Sequence, residues 1–333
     1  MSCINVILSG GVGSRLWPLS RKSRPKQYIP LFQNRSLFQL CALRNRPVCG
    51  DIIVVGNRRN SAISRKDLAQ AGIGNYREIT EAAPRNTAAA IAFAAFATAP
   101  EDVLLVTPSD HVVGNQQAYE QALSEAFALA EQNNLVTFGI PPHRPETGYG
   151  YIRHRGNQVQ AFIEKPGLDK AKQMLQEGGF LWNSGMFCFK SGVFLEELKK
   201  HAPEVAAKAF AAWEQREGGL LPEAPSLEIP SISVDYAVME HSDRIKVVPS
   251  KDLGWSDMGT FDALWEYLEN SSLLPPETEH LVLHSAKPVF FIGNQQMIYV
   301  ETEDAVLILP RGKGQEVKEL YEQLSVTQPG LVE

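Results

Sequence analysis

Long apolar runs, closely spaced cysteines and an excess of positive charge are all missing from this sequence. Its 333 residues hold four cysteines, Cys3, Cys41, Cys49 and Cys188, and no two stand at CxxC spacing. Thiolate metal sites and a disulfide framework are therefore not expected, and reduced thiols are. No apolar stretch reaches the length that crosses a membrane. No basic stretch precedes the short, glycine-broken apolar run at the start, so no secretory leader is expected. The expectation is a cytoplasmic protein. With 32 Lys and Arg against 38 Asp and Glu, the net charge is −6. That argues against a general nucleic-acid or membrane partner. Any anion site must then be a local basic cluster on an acidic body. Internal repeats and low-complexity tracts are absent too.

What is present is a regular alternation. At 44% hydrophobic and 21% charged residues, the composition is that of an ordinary globular protein, and the length suggests one large domain and a smaller one. The segments 4–8, 51–56, 102–108 and 135–140 carry apolar residues on both faces, as buried strands do. Between them, 86–99 is alanine-rich behind Asn86 and Thr87, and 116–132 repeats apolar residues at helical spacing. This predicts an α/β fold, with a mostly parallel sheet and helices on both faces. Ligands of such folds bind at the carboxyl ends of the strands. After residue 141 the pattern loosens, with strands expected at 158–166, 186–190 and 244–250 and a helix over 257–270. The proline-containing stretch 270–280 reads as a linker. Two domains are expected, 1–270 and a small β-rich 271–333, the latter with strands at 280–285, 288–293, 296–302 and 305–310 before one helix.

The stretch from Ile7 to Phe32, ILSGGVGSRLWPLSRKSRPKQYIPLF, carries the sharpest signal. An apolar strand enters Ser9, Gly10, Gly11, Val12, Gly13, Ser14 and Arg15. It is not a dinucleotide fingerprint, because Leu16 stands where the third glycine belongs. Nor is it a P-loop, because no Lys-Ser or Lys-Thr follows. A glycine turn after a strand still offers bare backbone N–H groups to phosphate, and Arg15 and Lys26 can add charge-assisted contacts. The plainer alternative is a tight turn beside a solvated basic face.

This stretch resembles the motif of the sugar nucleotidyltransferases, G-G-x-G-[ST]-R-L-x-P-L-[ST] followed by P-K, and within them the mannose-1-phosphate guanylyltransferase family. The segment 81–91, EAAPRNTAAAI, is similar to that family's E-P-x-G-R-N-T-A-P-A-I, with Pro84 in place of a glycine. Since Pro84 has no N–H to give a base, another base than guanine stays open. Similarity continues through TPSDHVV (107–113), ETGYGYI (146–152), FIEKP (162–166), WNSGMF (182–187), SVDYAVME (233–240), WSDMGTF (255–261) and the β-rich tail.

The resemblance implies a Rossmann-like, GT-A-like nucleotidyltransferase fold and transfer of GMP from GTP to mannose 1-phosphate, giving GDP-mannose and pyrophosphate. It implies a nucleotide site of Ser9, Gly10, Gly11, Gly13, Ser14, Arg15, Lys26, Arg85, Asn86, Thr87, Ser109 and Asp110. It implies a sugar-phosphate site of Tyr149, Gly150, Glu164, Lys165, Asn183 and Ser184, and Mg²⁺ held by Asp110 and Asp257. Catalysis would rest on Arg15, Lys26, Asp110, Lys165 and Asp257. Two carboxylates beside phosphates suit magnesium, although a turn aspartate and a helix cap are the ordinary uses of such residues. Asp235 and Glu240 fit a sugar site or a structural helix face equally. Longer relatives carry an isomerase domain, and isomerase activity is not expected of these residues. A homodimer is carried as an expectation on the β-rich tail alone. The alternatives are another sugar 1-phosphate or nucleotide, or a regulatory subunit that binds nucleotide sugars without turnover.

Overall fold

The computed structural model describes residues 2–32, 34–275 and 277–333. They fall into two compact units. The first takes residues up to Gly10, Cys41–Ser109 and Asn115–Leu253; the second takes Gly11–Leu40, Asp110–Gly114 and Gly254–Glu333. The boundary expected at 270/271 thus falls inside the second unit.

In the first unit, strands and helices alternate: β1 (Cys3–Ser9), β2 (Asp51–Asn57), α1 (Arg58–Gln70), β3 (Arg77–Glu81), α2 (Asn86–Phe96), β4 (Val103–Pro108), α3 (Gln116–Glu131), β5 (Leu135–Ile140), β6 (Tyr151–Arg155), β7 (Gln158–Ile163), β8 (Phe180–Lys190), α4 (Ser191–His201), α5 (Pro203–Glu214) and β9 (Ile245–Pro249). The nine strands form one sheet in the order β3-β2-β1-β4-β8-β5-β9-β7-β6. Neighbours from β3 to β4 run parallel, with Ile7 opposite Val54 on one side and Thr107 on the other. The long β8 runs antiparallel to β4, β5 and β6, which makes the sheet mixed.

Burial explains the layering. Val6, Ile53, Leu104 and Phe189 share one core with α2, α4 and α5. α2 is built for close approach: Ala88, Ala89, Ala90, Ala92, Ala94 and Ala95 are all buried, and their small side chains let it pack against α4 and α5. α3 buries Tyr119, Leu123 and Ala126 and packs on β5 and β8. No helix among the described residues is long and apolar enough to cross a membrane.

Two expectations are corrected. Cys3 and Cys49 are joined as a disulfide with Cα atoms 4.8 Å apart, while Cys41 and Cys188 are buried thiols. The parallel register that sets Ile4 opposite Asp51 brings the two cysteines together, and a sequence separation of 46 residues hides it. The strand expected at 288–293 does not form. Pro288 has no N–H for a ladder, and Gly293 sits at φ +119°.

The second unit holds α6 (Phe261–Asn270), β10 (Leu281–Leu283), β11 (Met297–Glu301), β12 (Val306–Pro310) and α7 (Val317–Thr327). β11 is the middle strand of a three-stranded sheet. Its Ile298 and Val300 share a core with Leu16, Trp17, Phe261, Trp265 and Tyr321. The tail therefore packs with the segment after the glycine turn.

The close packing of α2 makes a test. Ala92→Leu would overfill the core and lower stability by about 1–3 kcal/mol, read by urea unfolding; an unchanged midpoint would mean the helix has room to spare.

Candidate functional site

In the second unit the glycine turn and its lysine are built as one piece. Gly13 adopts φ +75°, and a Cβ there would collide with Cβ of Lys26, so glycine is required. The Lys26 N–H donates to the Val12 carbonyl at 2.9 Å, and Ser20 Oγ donates to the Gly13 carbonyl at 2.7 Å. Ser14, Arg15 and Leu16 then form a single 3₁₀ turn. Arg15 Nη1 donates to Gln315 Oε1 at 2.9 Å.

Lys26 is the hub. Its side chain is only 6% exposed, and Nζ lies 2.7 Å from Asp110 Oδ2. The same ammonium donates to the Asp257 backbone carbonyl at 2.6 Å. Burial by itself would raise the Asp110 carboxyl, but the Lys26 ammonium, helped by His111, outweighs it and holds the group below the ordinary carboxylate range. Asp257 is not the helix cap. Thr260 is, accepting from the Ala263 N–H, while Asp257 Oδ1 takes the Gly259 N–H at 3.0 Å. Met258, between them, is held at φ +48°, a costly conformation for a long side chain.

In the first unit a second group assembles where β8 bulges. The register shifts after Asn183. Asn183 Oδ1 accepts from Thr137 Oγ1 at 2.9 Å, and its Nδ2 donates to Asp235 Oδ1 at 2.8 Å. Its backbone N–H donates to the Gly150 carbonyl. Lys165 Nζ is 3.2 Å from Glu164 Oε1, with the lysine 61% and the glutamate 8% exposed. Burial, and then the Glu164 charge, push the Asp235 carboxyl up to about 6. Glu240 is raised as well, by burial first. Tyr149 meets Trp182 edge-on, ring centroids 5.3 Å apart. Ser184 Oγ, deep in β8, accepts from the Met186 N–H.

A third group follows β3 in the same unit. Arg85 Nε donates to the Ile229 carbonyl at 2.6 Å, and Thr87 Oγ1 accepts from the Val234 N–H. Asn86, at φ +71°, turns its Oδ1 to the Thr87 N–H. Sequence reasoning passed over Glu81. It is 7% exposed, its Oε1 has no partner among the described residues, and burial pushes its carboxyl up to about 7 against the Arg85 N–H, which lowers it. A lone acid ending a strand at a ligand-binding edge was the available signal.

The expected residues thus divide. Gly11, Gly13, Ser14, Arg15, Lys26, Asp110 and Asp257 lie in the second unit, and Lys26 draws both aspartates to itself. Ser9, Gly10, Arg85, Asn86, Thr87, Ser109, Tyr149, Gly150, Glu164, Lys165, Asn183 and Ser184 lie in the first. Ser109, buried, extends β1's ladder by donating its N–H to the Leu8 carbonyl. No group of three or more His, Cys, Asp or Glu able to hold a metal is found among the described residues. The donor chemistry of Asp110, whose carboxylate meets Lys26, and of Asp257, whose backbone carbonyl does, suits a magnesium ion, which commonly takes one or two carboxylates and fills its shell with water and phosphate oxygens.

A mixed α/β sheet with a glycine turn following β1 is an arrangement suited to holding a phosphorylated nucleotide. Residues 4–272 match the Nucleotidyl transferase family, and the chain belongs to that family. It is 37% identical to the mannose-1-phosphate guanylyltransferase ManC of Salmonella typhimurium, over 96% of this chain and 72% of that protein. It is 40% identical to the xanthan biosynthesis protein XanB of Xanthomonas campestris over the same shares. The crystal structure of a mannose-1-phosphate geranyltransferase from Thermus thermophilus superposes with a TM-score of 0.83 at 29% identity, covering 98% of this chain and all of that one.

The ion pair of buried Lys26 with partly covered Asp110 predicts a pH-dependent loss. Asp110 has a lowered folded pKa, so its contribution is complete above the unfolded carboxylate value of about 4 and is lost as pH falls through the folded value. Lys26→Met should cost about 1–3 kcal/mol at neutral pH, with the gap to the parent closing as pH falls through the carboxylate range. Urea titrations across pH measure it, and a gap constant down to pH 3 would reject the pairing.

Proposed function

We propose that this protein transfers GMP from GTP to α-D-mannose 1-phosphate, releasing pyrophosphate and forming GDP-mannose. The observation that carries the reading is the Lys26 cluster with Asp110 and Asp257 directly behind a phosphate-type glycine turn, in a chain similar over nearly its whole length to a mannose-1-phosphate guanylyltransferase.

The sugar phosphate is ionised near neutral pH, so its oxygen can attack the α-phosphorus in line without a protein nucleophile. Catalysis is then positioning and charge neutralisation. The glycine turn and Arg15 bind the triphosphate, and Lys165, mostly exposed beside Glu164, meets the sugar phosphate. Glu164, Asp235 and Asn183 offer acceptors and donors to sugar hydroxyls. Lys26 works chiefly on Asp110, which it keeps ionised and fixed. Asp110 and Asp257 would hold Mg²⁺. Bound there, the ion would supply charge neutralisation on phosphate oxygens. Glu81 supports guanine: a buried carboxylate suits a base edge carrying two neighbouring N–H donors, which guanine has and adenine lacks. Base recognition then does not depend on an N–H at position 84. A cytoplasmic location and a homodimer complete the proposal; sedimentation velocity checks the latter.

Two measurements test the reading. Pyrophosphate release across four nucleoside triphosphates and several sugar 1-phosphates should be highest for GTP with mannose 1-phosphate, and Glu81→Ala should flatten the nucleotide preference. Faster release with another pair would overturn the assignment, and none with any pair would favour a regulatory subunit. Asp235 supplies the second. Its carboxylate is fully ionised only above its raised pKa of about 6, so KM for mannose 1-phosphate should rise as pH falls through that value. The substrate phosphate also titrates there, and Asp235→Asn keeps that part alone. Identical profiles for parent and variant would remove Asp235 from the sugar site.

A further inference from the structure

Arg15 is held from the far end of the chain. Its partner, Gln315, lies in the short turn between β12 and α7, and the bond is 2.9 Å long. That turn is itself fixed to α6. Asp262, in the first turn of α6, accepts the Gly312 N–H at 2.6 Å on one carboxylate oxygen and the Gly314 N–H at 2.8 Å on the other. Gly314 comes so close that a Cβ would stand 2.5 Å from Asp262 Oδ2 and 3.0 Å from Thr260 Cβ. Arg311 adds a two-pronged pair, Nη1 and Nη2 each on one oxygen of Glu269 at 3.0 and 2.7 Å, and lies over the Trp265 ring. The turn is thus clamped at both ends of α6, the helix that begins a few residues after Asp257.

We propose that Gln315 is a positioning residue for nucleotide binding: it orients the Arg15 guanidinium toward the triphosphate without neutralising it. The inference rests on the role given to Arg15 above. The chemistry of the partner is the argument. Arg21 and Lys22 end on carboxylates, Asp304 and Glu333, each at 2.7 Å, and their charge is matched inside the protein. Arg15 ends on an amide oxygen. An amide accepts one of the five guanidinium N–H donors, fixes the plane of the group, and leaves its charge and remaining donors for an anion. A carboxylate in the same place would hold it more strongly and cancel the charge that phosphate needs. The C-terminal turn serves as a brace for the phosphate loop, delivered by the same helix that follows Asp257.

The experiment is a kinetic cycle with the full chain, using GTP and mannose 1-phosphate, supported by equilibrium titration of GTP. Gln315→Ala should raise KM and Kd for GTP by about three- to tenfold and leave KM for mannose 1-phosphate unchanged. Gln315→Glu should weaken GTP at least as much despite restoring an acceptor. In an Arg15→Ala background Gln315→Ala should have no further effect. Urea midpoints of the Gln315 variants should match the parent, since the side chain is exposed. If Arg15→Ala weakens GTP strongly while Gln315→Ala changes nothing, or adds its full loss on top, the brace is overturned and the Arg15 reading stands. If Arg15→Ala leaves GTP binding intact, the Arg15 role fails and the inference with it.

Discussion

The ammonium of Lys26 holds the second unit together chemically. That unit is made of three separate stretches of chain, 11–40, 110–114 and 254–333, and one side chain from the first binds a carboxylate of the second and a carbonyl of the third. An almost fully buried cation has no stable alternative to such partners, because desolvation without compensation costs several kcal/mol. The constraint works in both directions. Lys26 needs an ionised Asp110, and Asp110, partly covered, stays ionised because Lys26 is there. Gly13 is the steric counterpart, since any side chain would displace the lysine stem.

The same logic separates the carboxyl groups of the protein by task. Asp110 lies below its ordinary range because a cation outweighs burial. Asp235 lies above it because burial is reinforced by a neighbouring glutamate, and Glu81 because burial is barely opposed. A depressed carboxylate beside a lysine is a permanent anion, suited to a cation. Raised ones change charge near neutral pH, and a further donor, such as a sugar hydroxyl or a base N–H, would stabilise each in its ionised form. Two chemistries are thus encoded by one functional group in different surroundings.

How much of this the sequence revealed depends on whether the signal was local. The strands at 4–8, 51–56, 102–108 and 135–140 were legible because burial on both faces places apolar residues at odd and even positions alike. The edge strand β3, Arg-Glu-Ile-Thr-Glu, was not, because an exposed edge tolerates charge. β8 was read only in its apolar half, 186–190; Asn183 and Ser184 also sit in the strand, at and beside a bulge that re-aims the asparagine. The resemblance implied a phosphate role for Lys26 and a metal role for Asp110 and Asp257, but not the contacts between them, since 84 and 147 residues separate these positions and no local pattern could join them. Glu81 was missed because a single acid in a strand carries no periodicity, and the Cys3–Cys49 bond because it depends on register.

The five cations after the glycine turn give the last step. From sequence they are one basic patch. In the structure Arg21, Lys22 and Lys26 each meet a carboxylate, while Arg24 turns its Nε toward the Tyr28 carbonyl and Arg15 toward an amide. Three charges are consumed in fastening the loop to the tail and to Asp110, and only those on neutral partners keep their field. Arg15 is the one of these that sits in the turn of the glycine loop itself. A basic stretch on an acidic protein therefore resolves into mostly structural charge, with two guanidinium groups, Arg15 and Arg24, left on neutral acceptors that orient a cation and leave it a cation.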